Sequence, residues 1–165
     1  MKEPLYDNIL EFQVYGESAL FCNPITMVSE EQTSYQVPTY SALQGIMESC
    51  YWKPTIYWQP LEVRVMNRIR LEPRSKLMPK YVNSERDLAY HTYLRDVCYQ
   101  VRVAMQWSNN LAYEKDRNPK KHMESARRWL ERGGKKNIFL GKAECFGFIE
   151  PCTFGEGKGY YDNTD

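Results

Sequence analysis

Asn118-Pro119-Lys120-Lys121-His122 places one of the chain's two histidines beside two lysines at what reads as a helix start. Asn118 is a suitable N-cap, and Pro119 suits the first helical position, where its missing N–H costs nothing. Free backbone N–H groups and the positive end of the helix dipole favour an anion there. An imidazole beside lysine charge on such a helix end fits proton transfer at a phosphodiester. A solvated basic helix carrying an incidental histidine fits the same five residues.

Tyr51, in Glu48-Ser49-Cys50-Tyr51-Trp52-Lys53-Pro54, sits one position beyond an apolar helical stripe, as a reactive phenol or as a tyrosine at the edge of the core. His91, before a long strand, reads equally as a packed residue. Gly133-Gly134-Lys135-Lys136 allows close approach to a phosphate backbone, although a helix stop explains the glycines as well. No His-x-x-x-His, paired acidic motif or Cys/His cluster offers metal-ligand spacing, and no glycine-rich nucleotide loop occurs, so neither a metal nor a cofactor is expected.

Composition is that of a globular protein: 165 residues, 42% hydrophobic and 26% charged. The net charge is only +1, but it is segregated. Residues 118–142 hold eight Lys/Arg (120, 121, 127, 128, 132, 135, 136 and 142) against Glu124 and Glu131, a local +6 against −5 elsewhere. That basic stretch is a candidate electrostatic footprint for nucleic acid. Five widely spaced cysteines without a Cys-x-x-Cys pair fit reduced thiols. With no apolar leader and no run of about 18 apolar residues, the protein is expected to be cytoplasmic, with no membrane contact.

The elements that must position these residues follow from periodicity. Residues 9–15 alternate as a half-buried strand, and 16–37 read as a polar loop. A helix opening at Pro38-Thr39 carries Leu43, Ile46, Met47 and Cys50 on one face and ends before Pro54. A strand over 55–67, interrupted at Pro60, puts Leu61, Val63 and Val65 on one side. Residues 68–92, with Arg68, Arg70, Arg74, Lys76 and Lys80, read as a long basic loop or flap. Residues 97–107 form the clearest strand, the second helix spans about 119–132, and short strands cover 138–140 and 144–149. The order β-α-β-β-α-β predicts an α+β, ferredoxin-like (RRM-like) domain with an antiparallel sheet over 1–154, followed by a polar tail, 155–165. That fold alone selects no function.

A further set of blocks carries a resemblance. Tyr35-Gln36-Val37-Pro38-Thr39-Tyr40-Ser41-Ala42-Leu43-Gln44-Gly45-Ile46, then Glu48 to Thr55, closely resembles the Cas five family of type I-C (Dvulg) CRISPR systems. So do Tyr15-Gly16 with Ala19-Leu20-Phe21, Val63-Arg64-Val65-Met66, and Thr92-Tyr93-Leu94-Arg95-Asp96-Val97. Asp116-Arg117-Asn118 before Lys121-His122, Gly133-Gly134 before Ile138-Phe139-Leu140-Gly141, and Glu144-Cys145 with Pro151-Cys152 complete the match in order along nearly the whole chain.

The resemblance implies a metal-independent endoribonuclease that cuts CRISPR repeat transcripts (pre-crRNA) at the hairpin base. It implies further that the protein then stays on the 5′ handle of the crRNA, beside the backbone and large subunits of a type I-C interference (Cascade) complex. The family's catalytic tyrosine, lysine and histidine match Tyr51, Lys121 and His122. Lys120, Arg127, Arg128, Lys135 and Lys136 would then track RNA phosphate. Without a metal, the RNA's own 2′-OH attacks the neighbouring phosphate, leaving a 2′,3′-cyclic phosphate and a 5′-OH. Lys121 suits charge stabilisation, with Tyr51 and His122 sharing the acid, base and orienting roles. A non-catalytic handle-binding subunit is the other reading. Family members continue past the point matching Asp165 into a second, mostly β region, expected to be missing from these 165 residues.

Overall fold

The computed structural model describes residues 7–28, 31–79 and 86–163. Lys80, within the stretch read as a flap, and the last two tail residues lie outside them. Along the chain run β1 (Ile9–Ala19), a one-turn α1 (Pro24–Met27), α2 (Tyr40–Cys50), β2 (Ile56–Val65), β3 (Leu71–Pro79), β4 (Arg86–Trp107), a 3-10 turn (Leu111–Asp116), α3 (Pro119–Glu131), β5 (Ile138–Phe139) and β6 (Phe146–Pro151).

The sheet order is β2-β4-β1-β6-β5, and its pairs are antiparallel. Without the short flanking strands this is the split β-α-β-β-α-β arrangement expected from the sequence, so the α+β, ferredoxin-like expectation holds. The alternation predicted for β1 and β4 matches burial: Leu10, Phe12, Val14, Tyr99, Val101, Val103 and Met105 are buried. On that face lie Leu43, Ile46, Met47 and Cys50 of α2 and Met123, Ala126 and Leu130 of α3.

Three local expectations are corrected. Residues 68–92 are not a loop: β3 pairs with the first half of β4 from Leu71↔Leu94 to Pro79↔Arg86, making an arm continuous with the sheet. Both sides of β3 are largely exposed, so no apolar alternation marks it in sequence. Pro60 does not interrupt β2. The register instead shifts between Pro60 and Glu62, a bulge that absorbs the missing N–H. After the shift Val63 and Val65 stand opposite the buried Val101 and Tyr99, with Val65 packed against the core. Leu61, at the bulge, and Val63 stay exposed, and Ile56 and Trp58 are buried. Finally, β1 runs on to Ala19, where the sequence reads as loop.

Residues 155–162 fold back along β2 and β4. The Arg64 guanidinium donates to the carbonyls of Glu156 (3.0 Å) and Gly157 (2.8 Å) and binds the Asp162 carboxylate. Gln100 donates to the Glu156 carbonyl (2.8 Å) and accepts from Gly155 N (2.9 Å). No helix among the described residues is long and apolar enough to cross a membrane.

Candidate active site

Two helix ends build the site. Thr39 caps α2 by accepting from Ala42 N (3.2 Å), a contact worth about 1 kcal/mol. Tyr51 ends that helix: its backbone is extended (φ −155°) while its N–H still donates to Met47 O (2.9 Å). The Trp58 indole donates to Tyr51 O (2.7 Å), so the residue is held from both sides. At α3, Asn118 accepts from Lys121 N (3.1 Å), and Pro119 occupies the first turn as expected. This puts His122 one turn inside the helix and directs it into the core.

The Tyr51 hydroxyl and His122 Nδ1 are 2.9 Å apart. On the other side of the ring, Nε2 lies 2.9 Å from the Asp116 carbonyl and 3.3 Å from its carboxylate. A carbonyl oxygen only accepts, so Nε2 carries the proton. In the neutral ring Nδ1 then offers its lone pair to the Tyr51 O–H. The Trp107 ring closes one side, edge-on at 6.0 Å. His122 is 0% exposed, and Tyr51 only 4%.

Asp116 ties the cluster together. Its carboxylate accepts from the Thr55 hydroxyl (2.8 Å) and from the Lys121 ammonium. The Lys121 hydrogen bond, then that of Thr55, holds the Asp116 carboxyl below its ordinary range, and Asp116 in turn raises the Lys121 ammonium. Burial pushes the Tyr51 phenol up, against the lowering influence of the Ser125 hydroxyl and the positive charges of Lys121 and Arg128, with Asp116 adding to the rise.

Of the eight residues singled out in the sequence, Tyr51, Lys121, His122 and Arg128 are brought together. Lys120 pairs with Glu124 (3.9 Å) on the outer face of α3. Arg127 turns the other way, to Asp7 (3.4 Å). Lys135 and Lys136 are exposed. Their backbone N–H groups donate to Cys50 O and Ser49 O (both 3.0 Å), which caps α2 with the turn that ends α3. Gly133 (φ +85°) and Gly134 (φ +98°) make that turn, so the glycines serve as a helix stop. His91 is buried on the arm, apart from the site.

Sequence reasoning left Asp116, Thr55 and Ser125 without a role. The Asp116-Arg117-Asn118 block was visible, but nothing in it distinguishes Asp116 from an ordinary turn carboxylate. Among the described residues no group of three His, Cys, Asp or Glu is placed to hold a metal ion.

The sequence model described as CRISPR-associated protein (Cas_Cas5), on its Cas5d branch, matches residues 9–165. A CRISPR pre-crRNA endoribonuclease Cas5d of Thermus thermophilus is 32% identical over 104 residues, 58% of this chain and 44% of the relative. One of Mannheimia succiniciproducens is 27% identical over 148 residues, 76% of this chain and 64% of the relative. The chain thus spans 44% and 64% of the length of these curated relatives. Among solved structures, a CRISPR-associated protein superimposes with a TM-score of 0.79 at 30% identity, covering 98% of this chain and 77% of that one. A functionally uncharacterized protein of Streptococcus mutans gives 0.77 at 34% identity over the same shares. A match over nearly the whole sequence, with the fold it requires, settles the family: the chain belongs to the CRISPR-associated Cas5 family, in its Cas5d branch.

Proposed function

We propose that this chain is a metal-independent endoribonuclease that cuts CRISPR repeat transcripts at the hairpin base by 2′-OH attack. The observation that carries this reading is the Tyr51–His122 hydrogen bond, with Lys121 and Arg128 beside it. The curated relatives are named as CRISPR pre-crRNA endoribonucleases, which supports the substrate and the class of reaction.

The chain's own residues supply the proton transfers. With Nε2 held to Asp116 O, a neutral His122 takes the Tyr51 proton at Nδ1 while the phenolic oxygen takes the 2′-OH proton from RNA. Burial of the phenol makes this relay necessary, because an isolated Tyr51 would not ionise near neutral pH. Lys121 and Arg128 stabilise the extra phosphorane charge. The 5′ oxygen leaves with a proton from solvent, yielding a 2′,3′-cyclic phosphate and a 5′-OH. His122 is 0% and Tyr51 4% exposed, so of the pair only Tyr51 keeps a margin of accessible surface at which the RNA 2′-OH can reach it.

The complete burial of His122 also favours a second reading, a non-catalytic subunit that grips the crRNA 5′ handle and uses His122 as a satisfied core residue. In both readings the protein works in the cytoplasm, bound to crRNA beside other type I-C Cascade subunits. A structure described as a CRISPR RNA-guided surveillance complex shares the fold, with a TM-score of 0.50 at 15% identity.

The test is incubation of the purified chain with its end-labelled repeat hairpin in EDTA, alongside His122→Ala. One cut giving a cyclic phosphate, lost in the variant, supports the nuclease. Tight binding with no cut by either protein leaves the handle-binding subunit.

A further inference from the structure

We propose a second RNA contact, a phosphate-binding cleft at the root of the β3–β4 arm, formed by Arg68, Arg70 and Lys158 with Tyr160 as a stacking surface. It deepens the ribonuclease reading and rests on it.

The cleft is a cavity of about 560 Å³ between the β2–β3 connection and the folded-back tail. Neither arginine of the cleft makes an ion pair with a described carboxylate, and Lys158 has only the charge of Asp162 near it, a carboxylate already held by Arg64. Asp96, the one carboxylate among the described lining residues, is engaged by Arg95 at 3.4 Å. Three like charges around one opening repel one another, and an anion between them relieves that repulsion. Arginine suits a phosphodiester because its planar fork can donate two hydrogen bonds to one phosphate.

Backbone contacts set the walls in advance. Tyr160 N donates to Met66 O (2.9 Å), Ile69 N donates to the Tyr161 hydroxyl (3.1 Å), and Arg64 clamps the tail behind them. Asp96 turns the opposite wall with a left-handed φ of 49°, and the Asn67 amide donates to its carbonyl (2.8 Å). The Tyr160 ring remains 57% exposed, available for a base to stack on. Little ordering is left for the ligand to impose, which favours binding.

Position separates this cleft from the reactive pair. Asp96 and Trp107 lie on the same strand, β4, about 36 Å apart at roughly 3.3 Å per residue. Trp107 stands against His122. RNA held in the cleft is therefore several nucleotides from Tyr51 and contributes grip without entering the chemistry.

The experiment compares the full chain with an Arg68→Ala/Arg70→Ala variant and with Lys158→Glu, checked for unchanged melting temperature. Fluorescence anisotropy of labelled repeat RNA is read at several salt concentrations. The expected result is binding about 10- to 100-fold weaker, with the salt slope of the double variant smaller by about 1.4. Cleavage at saturating RNA should be unchanged. RNA carrying 4-thiouridine should crosslink to the peptide holding Tyr160. Unaltered affinity and slope in correctly folded variants would overturn the cleft while leaving the ribonuclease reading in place. Displacement of the RNA by equal amounts of polyglutamate would make it an acidic-peptide site and overturn the RNA assignment. A wild-type chain that binds no RNA would overturn both readings together.

Discussion

Tyr51 and His122 meet across 71 positions of sequence, the phenol at the end of α2 and the imidazole in the first turn of α3, 2.9 Å apart. The partner on the far side of the ring is a main-chain carbonyl, Asp116 O, whose orientation no side-chain substitution abolishes directly. The tautomer is therefore a property of the backbone path between the 3-10 turn and α3. This separates two tasks. Asp116 O fixes where the imidazole proton sits, and the Asp116 carboxylate sets the charge around it.

Tyr51→Phe removes the hydroxyl and leaves the ring in place. Cleavage of the repeat hairpin should fall by at least about 10²-fold, the usual worth of a positioned acid or base. RNA affinity should stay within about threefold, since no phosphate-binding cation is touched. A single-turnover time course beside an anisotropy titration reads both, and a fully active Tyr51→Phe would sink the relay.

Asp116→Asn keeps the backbone carbonyl but removes the charge that stabilises an imidazolium at His122. It also releases Lys121 from its ion pair. Cleavage should fall roughly 10- to 100-fold through the first effect, with binding equal to or slightly tighter than wild type through the second. Weaker binding with unchanged single-turnover cleavage would show that Asp116 acts only on the grip.

Acid should loosen the fold in a defined window. Asp116 and Asp162 are both held below the ordinary 3.8, Asp116 chiefly by Lys121 and Asp162 chiefly by Arg64. A depressed carboxyl stabilises the folded state above its unfolded value, and the contribution disappears as pH falls through the folded value. The melting temperature should be flat from neutral pH down to about pH 5 for these two groups, then fall more steeply in wild type than in Asp116→Asn. Differential scanning fluorimetry across pH 3–7 checks this, and parallel curves would contradict it.

Gly141→Ala should be among the most damaging small substitutions. Gly141 has φ +92°, and a Cβ there would lie 1.9 Å from Leu20 O, a backbone atom unable to swing aside. Leu20 N donates to Leu140 O (3.0 Å), so the two segments are tied together at that point. Strain and overlap together should cost about 3 kcal/mol or more, a drop of about 10 °C in melting temperature for a chain this size. A melting temperature within 2 °C of wild type would rule this out.

Elements with one buried and one solvated face were legible in the sequence. Leu43, Ile46, Met47 and Cys50 announced α2, and the alternation through Tyr99, Val101 and Val103 announced β4. Elements whose burial carries no period were not. In β3, Glu72, Arg74 and Lys76 alternate with Pro73 and Ser75, and the strand is held by pairing with β4, not by burial. In β2 the bulge between Pro60 and Glu62 takes Leu61 out of the pairing, so only Val63 and Val65 of the three stand opposite core-facing partners, Val101 and Tyr99. At the site, Tyr51, Lys121 and His122 were named from type, spacing and resemblance. The separation of Arg127 from Arg128 was not, because neighbouring positions on a helix point about 100° apart and only the packed structure shows which one faces Tyr51.

The exchange of hydrogen bonds between Lys135, Lys136 and the last carbonyls of α2 bears on the order in which this protein can be made. A chain emerging from the ribosome presents α2 some 85 residues before the segment that finishes it, and His122 arrives only slightly earlier. Until then the carbonyls of Ser49 and Cys50 are left to water and the Tyr51 hydroxyl has no imidazole to bond. Closing so long a loop is slow in entropic terms. The Tyr51 hydroxyl is thus one of the last groups to be set, and a nascent fragment ending before residue 122 holds no Tyr51–His122 hydrogen bond.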